Sequence, residues 1–287
     1  MKPVYLCALV WLAALFCPLS VAAADTALYT IVDGDARVLR GIAWSKLVPG
    51  ARAQEGDLVE LAERAQIQVE MARGGAINVV GPASVYAASL PGDGKAAGPA
   101  EWALSRGWAK AAATPPGLRL RMALATVEAA DAIVLVHGDA ASARIFVESG
   151  APKVGVPAAR GKDAPARDAH AGELWTRSGE KPFTVESHMP PGFVATIPRP
   201  LLDALPRLAP RFAGPAPTLT AGAEVTYADA ESWLSGPYRR AFVRRLTPRL
   251  SDPEFRAGVE ARIGSYPEWD RMLHPEKYAT DKAPAAK

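Results

Sequence analysis

The sequence predicts a mainly β protein, in which an antiparallel sandwich or a solenoid-like stack is followed by a small C-terminal α-helical module. Between residues 28 and 156, short apolar segments alternate with turns that contain glycine. The segment QIQVEM, residues 66–71, alternates apolar and polar side chains as a half-buried strand does. Beyond Pro200, apolar residues recur at helical spacing between proline and glycine stops. We expect the polar face of QIQVEM to contact solvent.

Residues 1–24 are predicted to be a secretory signal peptide. A single positive charge precedes an apolar stretch at 4–16, which is shorter than the roughly 20 residues of a membrane-spanning helix. Small residues at Ala22 and Ala24 favour cleavage between Ala24 and Asp25. The alternative is that the segment remains uncleaved as an anchor. We therefore expect a periplasmic or secreted protein.

The composition excludes several classes of function. Both cysteines, Cys7 and Cys17, lie within the predicted signal peptide. Thiol catalysis, zinc–cysteine sites and disulfides are therefore excluded for the rest of the chain. The net charge of +3 is too balanced for an obligate nucleic-acid-binding protein, so we expect no nucleic-acid partner.

The β domain is predicted to span residues 25–156, and residues 157–198 are predicted to form a loop and a β extension. The stretch 89–100 is rich in glycine, proline and alanine, and the stretch 157–172 is longer and more charged. Both are predicted to be mobile surface connections. Four prolines between 190 and 200 end the β region, because proline cannot donate to a ladder.

Residues 199–276 are predicted to form the helical module, and residues 277–287 a disordered tail. A brief helical turn, LLDAL, ends at Pro206. Longer helices are predicted in DAESWL, in YRRAFVRRL after Pro237, in SDPEFRAGVEARIG and in SYPEWDRML.

Two of these helices carry sequence signals for their ends. Ser251 with Glu254, and Ser265 with Glu268, have the spacing of capping boxes. Gly264 suits the C-terminal end of the helix that precedes it.

The β region resembles the FecR-like periplasmic domain of the ferric-citrate sensor family. The resemblance rests on a series of strand and turn motifs that occur in the same order as in that family. They are QEGDLVEL (54–61), Gly74-Gly75 before INVVGPASVYA, LSRGWAKAAA (104–113), ATVEAADAIVLVHGD (125–139) and SARIFVESGAPKV (142–154). The resemblance implies a FecR-type β domain.

Three departures from the family bear on function. Well-known members are anti-sigma regulators with a cytoplasmic segment before a membrane helix, whereas only three residues precede the apolar stretch here. Asp139 stands where the family often has a threonine, and the chain ends in a helical module instead of the usual continuation. The resemblance therefore implies an exported FecR-domain protein without direct transcriptional output.

No catalytic residue, metal site or cofactor is predicted. The chain has no G-x-S-x-G pentad for a nucleophile elbow. The four histidines, at 137, 170, 188 and 274, lack the spacing of metal ligands. DGDAR at 33–37 begins like a calcium loop, but Arg37 occupies the position of an oxygen ligand, so a turn is the better interpretation.

The arginines near 243 are the first candidates for binding. On a helical wheel for residues 238–246, Arg240, Arg244 and Arg245 lie opposite the apolar side chains and are predicted to form the outer face. Arg239 lies on the apolar side and is expected to snorkel or to pair with a carboxylate. The three outer arginines are either solvated charges near a helix C-terminus or a patch for an anionic surface or an acidic protein.

Trp233 and Trp269 are the other binding candidates, since some exported proteins stack tryptophan rings on sugars. The alternative is that both rings pack together or against the β domain.

Our leading hypothesis is a non-enzymatic binding or scaffold module of the cell envelope that recognises a protein or a cell-wall component. The alternatives are a carbohydrate- or peptidoglycan-binding protein, and a periplasmic sensor component coupled to a transporter through a separate membrane partner. The expected partner is an envelope protein or a cell-wall glycan, and the sequence does not predict the oligomeric state.

Overall fold

The computed structural model describes residues 27–90, 98–157 and 165–282. The predicted signal peptide, the central parts of both predicted loops and residues 283–287 lie outside these ranges. The described residues form sixteen strands: β1 Leu28–Asp33, β2 Ala36–Arg40, β3 Ala43–Lys46, β4 Leu58–Leu61, β5 Gln66–Met71, β6 Gly75–Ser89, β7 Ala100–Ala113, β8 Leu118–Arg121, β9 Thr126–Ala129, β10 Ala132–Gly138, β11 Ser142–Gly150, β12 Lys153–Gly155, β13 Arg167–Asp168, β14 Leu174–Ser178, β15 Thr184–Glu186 and β16 Ala221–Glu224.

Two long strands, β6 and β7, connect the strands into two layers. The first half of β6 pairs with β5 and its second half with β4, while β7 pairs with β10 near its end and with β8 near its beginning. One layer therefore runs β1-β5-β6-β7-β10-β11-β14-β15, and the other runs β16-β3-β2-β4-β6-β7-β8-β9-β12-β13. Every pair is antiparallel except β7 with β8, which is parallel.

The change of partner requires both long strands to bend. The pairing of β6 with β7 shifts register between Val80 and Ser84. Opposite this shift, Gly107 has a φ of +111°, and a Cβ there would lie 2.5 Å from the Cβ of Ala83. Only glycine fits such a close approach at this backbone angle. In the sequence, a bend of this kind resembles a turn between two short strands.

The predicted β domain followed by a helical module is confirmed, and of the two β arrangements the structure has the sandwich. Alternate residues of each strand face opposite sides, so successive apolar residues contribute to different cores. Val38 and Val59 face the core between the layers, whereas Leu39 and Leu58 lie on the outer face of the second layer. On the first layer, Val80 and Leu135 face outward.

The outer face of the first layer is covered by an irregular segment. Helix α1 (Pro191–Val194) and a 3-10 turn (Arg199–Leu201) pack Phe193, Ile197 and Leu201 on its apolar part. Residues 199–212, which we call the strap, then cross its polar part and end in a second 3-10 turn, Ala209–Phe212.

The prediction that the polar face of β5 contacts solvent is wrong. Gln68 and Glu70 are 0% and 3% exposed, because the strap covers them. Gln68 Nε2 donates to Pro206 C=O at 2.7 Å, and the N–H of Leu208 donates to Glu70 Oε1 at 2.7 Å. The strap thus satisfies polar groups that would otherwise be costly to bury.

The helical module packs on the outer face of the second layer. It contains α2 (Tyr227–Leu234), α3 (Arg239–Leu246), α4 (Pro253–Glu260) and α5 (Pro267–Leu273), together with 3-10 turns at Thr247–Ser251, Ile263–Ser265 and Pro275–Lys282. Its buried apolar side chains join Leu39, Trp44, Leu58 and Tyr86 of the sandwich in one cluster. Strand β16 pairs with β3 immediately before α2 and fixes where the module begins.

The ends of two helices differ from the sequence prediction. Asp252 caps α4, accepting hydrogen bonds from the N–H groups of Glu254 and Phe255, whereas Ser251 donates to Pro248 C=O. Asp252 occupies the N-cap position because Pro253 follows it, and proline favours the first position of a helix. Helix α5 has no side-chain cap at its N-terminus, and Glu268 pairs instead with Arg239.

The predicted disordered tail is helical as far as the structure describes it. Residues up to Lys282 belong to the last 3-10 turn. The hydroxyl of Tyr278 donates to Asp270 at 2.6 Å and Lys277 donates to the same carboxylate at 3.1 Å, which ties the turn to α5.

Candidate binding groove

A groove runs along the boundary between α2 and the sandwich, and we call it the interface groove. Three adjoining cavities of ≈ 270, ≈ 480 and ≈ 280 Å³ form it. Arg37, Glu60 and Arg106 line both the first and the second cavity. Ser105 and Ser232, with Ala140, line both the second and the third. The shared walls make the cavities one continuous feature.

Two ion pairs form the charged end of the groove. Arg37, on β2, contacts Asp229 of α2 at 2.8 Å, and Arg106, on β7, contacts Glu60 of β4 at 2.9 Å. The two arginine side chains are 43% and 57% exposed. The guanidinium of Arg37 lies 4.0 Å from the centre of the Trp44 ring, which fixes its position. Both cations can therefore contact a ligand while remaining paired.

Two carboxylates of the groove, those of Asp229 and Asp139, have lowered pKa values. Partial burial of Asp229 opposes ionisation, but hydrogen bonds from the side chain and N–H of Thr226 and from Arg37 outweigh it and lower the pKa of Asp229. The pKa of Asp139, which lies in the turn between β10 and β11, is lowered in the same way. There, partial burial is outweighed by hydrogen bonds from Ala141 and Ser142.

The third cavity is the apolar end of the groove. Its walls include Leu104, Met122, Trp233 and Pro237, with Tyr238 at its edge. The Tyr238 hydroxyl donates to Glu101 at 2.5 Å. Burial, together with this carboxylate, raises the pKa of Tyr238, so the hydroxyl stays protonated. The groove thus combines paired charges at one end with apolar surface at the other.

The residues that line the groove do not form a catalytic arrangement. Its serines lie beside arginines, carboxylates and apolar groups, and no histidine lines any of its cavities. SGEK at 178–181 has S-x-x-K spacing, but it lies in a turn where the N–H of Lys181 donates to Ser178 C=O at 3.3 Å. Within the described ranges, no three His, Cys, Asp or Glu residues are placed to hold a metal ion.

The structure separates the three arginines that were predicted to line one outer face. Arg240 and Arg244 are exposed on α3, as expected. Arg245 is not on this face, because its guanidinium donates to the C=O groups of Leu39, Gly41 and Gly56 in the sandwich. Burial, the largest cause, lowers the pKa of Arg245, as is usual for a desolvated cation. Arg245 therefore docks the module.

Arg245 meets the sandwich at the turn of the QEGDLVEL motif. Asp57 of this motif is 1% exposed and accepts hydrogen bonds from Arg40 Nε at 2.7 Å and from the Tyr29 hydroxyl at 3.0 Å. Its carboxylate also accepts from the N–H of Gln54 at 3.0 Å, which holds the turn. The motif presents the Gly56 carbonyl to Arg245 in a fixed position.

Both candidate tryptophans are buried. Trp233 is 3% exposed, stacks on Phe242 with ring centroids 5.4 Å apart, and donates from Nε1 to Ser84 Oγ at 3.0 Å. Trp269 is 0% exposed and packs against Phe255 inside the module. Neither ring presents a face for stacking on a sugar.

Arg239 pairs with the carboxylate of Glu268 at 2.7 and 2.9 Å, one of the two outcomes expected for it.

The groove residues were missed in the sequence because they come from β2, β4, β7 and α2, which are far apart along the chain. One local signal was present. Thr226 and Asp229 have capping-box spacing, and the structure shows both hydrogen bonds of that motif. This signal locates the start of α2 but does not indicate which strand faces it.

No protein-family model matches the chain, and no curated protein matches it in sequence. Two crystal structures of a candidate anti-sigma factor from Parabacteroides distasonis are similar to part of it, with TM-scores of 0.31 and 0.30 and identities of 11% and 10%. Each match covers 47% of this chain and 58% of the other, so the chain spans less than two thirds of those proteins. A similarity this weak carries no argument about function.

No helix in the described ranges is long and apolar enough to span a membrane.

Replacing Asp229 with alanine is expected to lower the free energy of unfolding at pH 7 by roughly 1 kcal/mol, the scale of one partly exposed cap and ion pair. The pKa of Asp229 is lowered in the folded protein, so its contribution is complete above the unfolded pKa near 4 and is lost as the pH falls through the folded value. Urea denaturation at pH 7 and pH 3 measures the difference. A deficit of unchanged size at pH 3 would contradict the role of the charge.

Proposed function

We propose that this protein is a non-enzymatic binding module of the cell envelope, which holds an extended peptide segment of a partner protein in the interface groove. The observation that carries the proposal is the groove itself, which is continuous over three cavities and changes from paired charges to apolar walls. The envelope location follows from the predicted signal peptide, and the resemblance to FecR-like domains supports a binding role.

The charges of the groove favour a peptide over other classes of ligand. Glu60, Asp139 and Asp229 lie among the arginines of the middle cavity. A nucleic acid or an anionic lipid would place phosphate groups beside these carboxylates, which costs free energy. A peptide that carries both acidic and basic side chains can pair with both signs.

The volumes fit the same ligand class. The middle cavity of ≈ 480 Å³ lies within the range of roughly 300–1,000 Å³ that is typical of ligand sites. The apolar cavity beside it offers a place for one apolar side chain between Met122 and Pro237. A glycan is a weaker candidate, because Trp233 and Trp269, the rings proposed for stacking, are buried.

Selection of peptides from a random displayed library tests this proposal. The groove is blocked in Ser232→Trp, since Ser232 is exposed and lines both the charged and the apolar cavity. Asp131→Trp is the matched control, because Asp131 is exposed just before β10, at the opposite end of that strand from Asp139. We expect the wild type and Asp131→Trp to select a common motif that Ser232→Trp does not bind.

Two outcomes would contradict the proposal. One is a motif that binds Ser232→Trp as tightly as the wild type. The other is the absence of any selected peptide together with sedimentation of the protein with purified sacculi, which would favour the cell-wall alternative.

A further inference from the structure

The outer face of the first layer carries a stripe of buried polar side chains beneath the strap. Gln68, Glu70, Asn78 and Lys110 are each at most 3% exposed. They come from the adjacent strands β5, β6 and β7. Burying such groups on the outside of a sheet is costly unless a partner satisfies them. The strap contacts three of them, and Lys110 Nζ also pairs with Glu148 Oε1 at 2.8 Å.

The stripe binds the strap through main-chain atoms. Lys110 Nζ donates to the C=O groups of Leu201 at 3.2 Å and Asp203 at 3.0 Å. Gln68 Nε2 donates to Pro206 C=O at 2.7 Å. In the other direction, Glu70 accepts from the N–H groups of Leu208 at 2.7 Å and Ala209 at 3.2 Å. All five hydrogen bonds use groups that nearly every peptide possesses.

The strap's own side chains contribute mainly at its two ends. Leu201 is 0% exposed in the outer apolar cluster. At the other end the Phe212 ring lies over Gly50, where a Cβ would be 2.8 Å from Phe212 Cδ1. Between these anchors Leu202 is 45% exposed and Arg207 is exposed. The middle of the strap is therefore held by its backbone.

The strap does not use every acceptor that the stripe offers. Among the described residues, none donates to Gln68 Oε1 or to Asn78 Oδ1, and both atoms are buried. The orientation of the Gln68 amide is fixed, because Nε2 faces Thr30 Oγ1 and Glu70 Oε1 as well as the strap. The strap carries Pro200, Pro206 and Pro210, which have no N–H to donate.

We propose that the stripe around Gln68, Glu70 and Lys110 is a peptide-binding site that recognises main-chain groups, and that the strap occupies it in cis. Its ligand in trans is an extended peptide, which competes with the strap for the same hydrogen bonds. Residues 213–220, between the strap and β16, form no helix or strand. The strap can therefore leave the stripe while β16 and the helical module stay in place.

The test uses the full chain and a synthetic fluorescent peptide with the sequence of residues 199–212, RPLLDALPRLAPRF. Leu201→Ala with Phe212→Ala removes both anchors of the strap in the protein. We expect the peptide to bind this variant about tenfold or more tighter than the wild type, because the weakened strap competes less. Fluorescence anisotropy measures both affinities.

Two altered peptides separate main-chain recognition from general apolar binding. Backbone esters in place of the amides of Leu208 and Ala209 remove both donors to Glu70 and keep every side chain. We expect about tenfold weaker binding or more, since each lost bond is made to a charged acceptor. A peptide with Leu202→Ala and Arg207→Ala should bind within about twofold of the parent, because these side chains are exposed between the anchors.

The proposal is overturned if the ester peptide binds as well as the parent, or if the parent binds neither protein. If the circular dichroism spectrum shows that the double variant does not fold, a second variant with a protease site at Gly214 is used in its place. The chain then folds with its anchors intact and the strap is cut afterwards at an exposed position. The peptide must bind the cut protein more tightly than the uncut one for the proposal to stand.

Discussion

Replacing Trp233 with alanine is expected to lower the free energy of unfolding by about 3–5 kcal/mol, as truncation of a large buried aromatic side chain does. The ring is 3% exposed and contacts Phe242 of α3 and Tyr86 of β6, so it joins the module to the sandwich. Its loss also leaves the buried Ser84 hydroxyl without its donor. Urea denaturation followed by circular dichroism measures the change.

Trp233→Phe is the matched control. It keeps an aromatic ring between Tyr86 and Phe242 but removes the hydrogen bond to Ser84. We expect a loss of about 1–2 kcal/mol for this smaller change. A loss below about 1 kcal/mol for the alanine variant would show that the module does not pack on the sandwich as described.

Replacing Arg245 with methionine is expected to cost about 2–4 kcal/mol, because three carbonyl groups lose a charged donor. These carbonyls belong to Leu39, Gly41 and Gly56, so the change weakens the contact between α3 and the sandwich. Methionine keeps most of the apolar stem, which isolates the effect of the guanidinium. The midpoint and slope of urea denaturation measure the effect.

Arg244→Met is the matched control for this variant, one residue away on the same helix. Arg244 is exposed. We expect a change within about 0.5 kcal/mol, which is usual for an exposed site. Equal losses for the two variants would contradict the docking role of Arg245.

The difference between these arginines could be predicted from the sequence only in part. The helical wheel placed the apolar face of α3 correctly, since Phe242, Val243 and Leu246 are all buried. Arg245 follows Phe242 by three residues, which puts it about 60° from that residue around the helix, at the border of the apolar face. Its long side chain reaches the sandwich from there. The pattern alone cannot say whether a border arginine meets carbonyl groups or water.

Strand β5 shows a second limit of the sequence. The alternation in QIQVEM predicted correctly that Ile67, Val69 and Met71 share the core between the layers. Solvent on the opposite face was the natural expectation, but the residue that covers Gln68 lies 138 positions further along the chain. A contact at that separation leaves no local signal. The groove escaped prediction for the same reason, since its walls meet only in the folded chain.

The most direct test of peptide binding in the interface groove is to map where a selected peptide cross-links. A library-selected peptide with a benzophenone side chain is bound to the wild-type protein and irradiated, and the cross-linked residues are identified by mass spectrometry. We predict cross-links to the groove walls, at Arg106, Met122 or Ser232. Cross-links confined to the exposed face of α3 at Arg240 and Arg244, or to the strap, would contradict the account.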